Sequence, residues 1–174
     1  STDPSYSNVF IGNAAGFTSH AGFNNVFVGF ESGYDNVLSH GNVFLGHHSG
    51  RSNRNGDDNV FIGSAAGKSF RTGWANVFLG FESGYENVES YGNVFLGYFS
   101  GRSNETGNDN VFIGSRAGRL NKGGYSNVFL GTASGEETNS GYNNVFIGNL
   151  SGLKNTSGYE NVFVGNVSGS SNTT

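Results

Sequence analysis

The residues best equipped for chemistry are His47 and His48, the pairs Asp57–Asp58 and Asn108–Asp109, and a series of regularly spaced aromatics. Neighbouring side chains in an extended segment point to opposite faces, so His47 and His48 cannot share a metal ion and read as surface residues. The acidic pairs offer the hard oxygen donors that Ca²⁺ takes. The Gly-Gly-x-Gly-x-Asp repeat of calcium-binding rolls is absent, however, and both pairs read as turns. A nucleophilic site needs one Ser or Cys set apart beside a His. This chain has no Cys, its four His fall at unrelated places, and its Ser residues recur in register. No catalytic residue, metal ligand or cofactor is assigned, and the chain reads as a protein that is not an enzyme.

Phe23, Trp74, Tyr91, Tyr125, Tyr142 and Tyr159 occupy one place in a 17-residue period, which His40, Asp57 and Asn108 fill in the remaining units. Aligned aromatics pack over a glycine-rich wall, fill an interface or contact sugar rings. This row is therefore the candidate ligand-contact stripe, with a surface glycan as its partner. Ice binding would call for an ordered Thr ladder, and the nine Thr do not fall in one. Asn104, Asn149, Asn155, Asn166 and Asn172 open N-glycosylation sequons. In a chain with 25 Asn these are no more frequent than chance allows.

These residues are positioned by a repeat. Asn-Val-Phe, an aliphatic residue and Gly begin at Asn8, Asn25, Asn42, Asn59, Asn76, Asn93, Asn110, Asn127, Asn144 and Asn161, always 17 residues apart. With that Asn as position 1, Gly recurs at positions 5 and 9, and position 8 is Ala or Ser. A count without insertions means that each unit stacks directly on the last. Residues 8–58 also match residues 59–109 at 34 of 51 positions, so a three-unit block is duplicated above the single repeat. Disorder, the usual state of so polar a chain, would not keep apolar residues in register through ten units.

Two glycines per unit exclude helix, and Val-Phe-aliphatic reads as a short strand turning at position 5. Positions 6–8 read as a second short strand closed by the Gly at position 9. The polar remainder reads as a third side with a turn near position 15, where Gly22, Gly56, Gly73, Gly107, Gly124, Gly141 and Gly158 lie. The fold expected is all-β, a parallel β-solenoid (β-roll or β-helix) of ten 17-residue coils. Coils about 4.8 Å apart make a rod on the order of 48 Å long. It forms a single domain over residues 1–174, with an incomplete N-terminal coil (1–7), nine full coils (8–160) and an incomplete C-terminal coil (161–174). Asn at position 12, as at Asn36, Asn53, Asn87, Asn104, Asn121 and Asn155, suits a stacked amide ladder, as does position 1.

Alternation sends Val at position 2 and the aliphatic at position 4 to one face and Phe at position 3 to the other. A narrow coil holds only one of these sets. The ladder Phe10, Phe27, Phe44, Phe61, Phe78, Phe95, Phe112, Phe129, Phe146 and Phe163 is therefore either the core or a self-association stripe. Whichever set faces outward makes an apolar stripe larger than a soluble monomer normally exposes. Identical copies in a homo-oligomer would cover it, unless the chain folds back over it.

The signature Asn-Val-Phe-Ile-Gly-x-x-Ala/Ser-Gly resembles repeats of bacterial surface and phage tail-fibre-type proteins over residues 8–169. It is more distantly similar to the heads of trimeric autotransporter adhesins, whose repeat is shorter and carries a small residue where this chain has Phe. The resemblance implies a trimeric, left-handed β-roll that is extracellular or surface-attached, with a structural or adhesive role. The chain reads accordingly as a rod or fibre built by self-association, with a carbohydrate-binding solenoid as the alternative.

Composition narrows the partners further. Charged residues make up 13%, the net charge is −4 and the nine Lys and Arg are scattered, so no footprint for nucleic acid or anionic lipid is present. No apolar run approaches the length of a membrane-spanning helix, and the lack of Met suits a processed product or a fragment. Residues 1–7 and 161–174 together contain a complete coil's positions, which either head-to-tail joining into a fibre or excision from a longer array would explain.

Overall fold

In every coil a Phe is flanked by two aliphatic residues that alternation turns the other way, and the packing room beside it decides which set goes inside. In a computed structural model, which describes residues 7–174, the Phe side is closed. Eight of the ladder rings, Phe27 to Phe146, are fully buried, while the outermost Phe10 and Phe163 are partly exposed. Ring centroids lie 4.6–5.0 Å apart from coil to coil with interplanar angles of 4–17°.

The ten strands that carry them are β1 (Val9–Ile11), β2 (Val26–Val28), β3 (Val43–Leu45), β5 (Val60–Ile62), β7 (Val77–Leu79), β8 (Val94–Leu96), β9 (Val111–Ile113), β10 (Val128–Leu130), β11 (Val145–Ile147) and β12 (Val162–Val164). They form one parallel sheet in that order, with Val opposite Val and Phe opposite Phe throughout. β4 (Asn55–Asp57) and β6 (Thr72–Trp74) pair separately on another side of the rod. The molecule is thus a β-solenoid that winds once per 17 residues.

The coil departs from expectation in two places. Positions 6–9 form a turn rather than a second strand, because position 7 is left-handed in every coil, with φ between +49° and +59° at Ala14, Glu31, His48, Ala65, Glu82, Phe99, Arg116, Ala133, Leu150 and Val167. The Gly at position 9 has two reasons to be Gly: Gly118 sits at φ +57°, and a Cβ there would lie 2.5 Å from the Phe112 ring. Position 15 is not a turn. Gly56 and Gly73 are the inward-facing centres of β4 and β6, and the glycine saves space. A Cβ on Gly124 would come within 2.5 Å of Asn121 Nδ2 and closer still to the Gly141 carbonyl. The chain instead turns at position 17, left-handed at Asn24, Asp58, Ala75, Asp109, Ser126, Asn143 and Glu160.

The outward columns at positions 2 and 4 are half-buried by their stacked neighbours in most coils. Leu79, Ile113 and Ile147 are more exposed, and Val9, Ile11, Val162 and Val164 at the outermost coils most of all. The outward stripe is therefore continuous but less bare than the sequence leads one to expect. Within the described residues it stays partly open along its length. The N-terminal partial coil, apart from Ser7, lies outside the described residues. No helix of the described residues is long and apolar enough to cross a membrane.

Candidate functional site: rows of stacked side chains

Stacking in register turns each repeat position into a row along the rod. The aromatic row at position 16 follows strand alternation, since Asp57 and Trp74 end β4 and β6 and point outward on either side of the inward glycine. The structure brings the expected stripe residues into this one row but breaks the row into three blocks. Phe23 stacks on His40 (3.9 Å), Trp74 on Tyr91 (5.1 Å), and Tyr125, Tyr142 and Tyr159 on one another (5.0 Å each).

Asp57 and Asn108 make the breaks. Asp57 Oδ1 accepts the backbone N–H of His40 at 2.8 Å, and Asn108 Oδ1 accepts that of Tyr91 at 2.9 Å. These oxygens therefore bond the backbone of the preceding coil, while the second member of each pair, Asp58 or Asp109, takes the left-handed turn at position 17. No cluster of three or more His, Asp or Glu that could hold a metal is found among the described residues.

The breaks decide what each ring offers. Tyr142 has a ring against both faces and presents only its edge. Loss of water around it, with Tyr125 and Tyr159 beside it, raises its phenol above the ordinary range. Trp74 has a ring on one side only and keeps 58% of its surface exposed. It lines a surface groove of about 600 Å³ between positions 14 and 16, opposite Thr72, Glu89 and Thr106 and beside Tyr91. Sequence reasoning missed Thr72, Glu89 and Thr106. Carrying the two-residue alternation onto the third side would have placed them on the same face as the aromatics.

A second cluster follows the three-coil duplication. Arg51 donates to Glu31 at 2.7 Å and lies over the Tyr34 ring, and Arg102 repeats this with Glu82 and Tyr85. The hydrogen bond from Arg51 holds the Glu31 carboxyl below its ordinary range. His48 lies 3.1 Å from Glu31, yet its pKa is lowered, chiefly because burial penalises the imidazolium. His47 and His48 do come close, with ring centroids 3.8 Å apart, because they sit in the turn at positions 6–9 and not in a strand; no group of three side chains that could hold a metal is found among the described residues. In the second block Tyr98 and Phe99 hold the same places.

Two of the candidate glycosylation sites are corrected. Asn104 and Asn155 are position-12 residues with fully buried side chains, so an attached sugar would have to occupy the core. Asn149 and Asn166 are exposed, and Asn172 is partly so.

No protein-family model, no curated protein and no solved structure matches this chain.

Proposed function

We propose that the chain is an extracellular structural or adhesive rod that self-associates along its outward aliphatic face. The observation that supports this most is the ten-strand sheet whose outer surface is Val at position 2 and Val, Ile or Leu at position 4 in every coil, with no charge in either column. A face of three residues by ten strands spans about 10 Å by about 45 Å. That places it within the range of the largest apolar patches on soluble proteins, which are commonly contact surfaces. A stripe parallel to the rod axis suits copies arranged side by side about a common axis. The resemblance to surface and tail-fibre repeats points the same way.

Sedimentation of the purified chain tests this reading. Mass above the 18.3 kDa of one chain is expected. Leu79→Lys with Leu96→Lys should return it to one chain with its β-sheet circular dichroism intact. A wild-type chain that sediments at 18.3 kDa at high micromolar concentration contradicts the proposal.

A second reading, contact with carbohydrate through the row at position 16, is favoured by the exposed Trp74 and its groove.

A further inference from the structure

We infer that the rod carries one discrete glycan site, centred on Trp74 where the aromatic row breaks, rather than a binding stripe along its whole length, and that the site takes a neutral oligosaccharide. The inference rests on the carbohydrate reading above and narrows it to a place and a ligand class. A sugar packs its C–H face on the flat, electron-rich face of an aromatic ring. Inside a stack both faces are taken, as at Tyr142. At Trp74 the stack ends, because the neighbouring coil supplies Asp57 in place of a ring; among the described rings of the row only Tyr159 is as exposed, and it does not line the groove.

The opposite wall supplies the other half of the recognition. Positions 14 and 16 are two residues apart on one face, so their rows run about 7 Å apart. Gly73 and Ser90 between them turn inward at position 15, so only backbone floors the trough. Thr72 and Thr106 bring hydroxyls and Glu89 a carboxylate to that wall. A hydroxyl-rich ligand lying along the trough meets an aromatic face on one side and hydrogen-bonding groups on the other. Asp57 and Glu89 give the groove negative charge with no cation on its lining, which disfavours acidic polysaccharides.

Trp74 is the only tryptophan, so its fluorescence reports on this groove alone. The probes are cellohexaose, chitohexaose, maltohexaose and xylohexaose, with polygalacturonate as the acidic comparison. Affinity electrophoresis on the matching polysaccharides follows binding in variants that lack the fluorophore. At least one neutral probe should shift the Trp74 emission, and polygalacturonate should not. Trp74→Ala should weaken retention by about tenfold or more, and Glu89→Ala should weaken it while leaving the fluorophore in place. Tyr142→Ala should leave retention unchanged. Retention that survives Trp74→Ala but is lost in Tyr142→Ala overturns the location and leaves the carbohydrate reading standing. Preference for polygalacturonate overturns the ligand class. No binding to any probe overturns both the site and the carbohydrate reading. A change of native mass in Trp74→Ala, with no neutral probe bound, assigns the ring to an interface and overturns the site.

Discussion

Two rows of asparagine run along the inside of this rod, and the same side chain is wired differently in each. At position 1 each amide is a link in a chain. Asn93 Nδ2 donates to Asn76 Oδ1 at 3.1 Å and to the Gly107 carbonyl at 2.8 Å, and its Oδ1 accepts the backbone N–H of Asn110 at 3.0 Å and Asn110 Nδ2 at 3.2 Å. This pattern runs from Asn8 to Asn161. At position 12 the amides are equally buried but loosely connected. Asn53 and Asn104 turn back to the glycine three residues on, whereas both polar atoms of Asn121 and Asn155 find no partner among the described residues.

A buried polar group left without a partner costs stability, so a row that satisfies itself excludes other residues and a row that does not admits them. Position 1 is Asn in all ten coils. Position 12 also carries Ser19, Phe70 and Thr138, and Phe70 is fully buried there, edge-on to the Phe61 ring at 5.1 Å. The first row helps define the coil, while the second fills space that an apolar side chain fills as well.

Substitution at matched depth would break this contrast most sharply. Asn93→Leu should cost about 3–5 kcal/mol, since it removes the side chain's hydrogen bonds and orphans the buried N–H of Asn110. Its urea midpoint should fall accordingly. Asn121→Leu should instead raise stability, by about 1–2 kcal/mol, because it replaces two unpartnered polar atoms with an apolar group. Equal losses in both variants would mean that the two rows are equivalent.

The smallest effect sharpens a different contrast, between the duplicated blocks. Glu31 and His48 both have folded pKa values lowered from their ordinary 4.5 and 6.5. Each therefore contributes stability that is present above its unfolded pKa and is lost as the pH falls, His48 first, below about 6.5. His48→Phe installs the residue that Phe99 supplies in the second block. Denaturant midpoints between pH 7 and pH 5 should decline in the wild-type chain and stay flatter in this variant. An unchanged decline would remove His48 from the account.

The period, the parallel stacking and the Val–Phe alternation were legible in the sequence because every coil repeats them without an insertion. Which apolar set lies inside was not legible, since both are invariantly apolar. The deciding feature is the room made by the Gly at position 9, visible only once Phe112 is seen against Gly118. The glycine at position 15 misled, because a glycine needed for space looks in sequence like one needed for a turn. Left-handed position 7 gave no signal, as residues as different as Glu31, Phe99 and Leu150 occupy it, whereas position 17 carried one in Asn24, Gly41, Asp58, Gly92, Asp109 and Asn143, residue types that favour the left-handed region. The groove at Trp74 was half legible: its aromatic wall showed as a row, but the facing polar wall changes identity from Thr72 to Glu89 to Thr106.

The outward aliphatic face is tested most directly by a spin label at its rim. The chain has no cysteine, so Ser115→Cys places a nitroxide two residues beyond Ile113 and Arg54→Cys places one on the third side of the coil. Side-by-side association predicts strong inter-chain dipolar coupling at 115, weaker coupling at longer distance at 54, and loss of both on dilution with unlabelled chain. Absence of inter-chain coupling at 115 would contradict it.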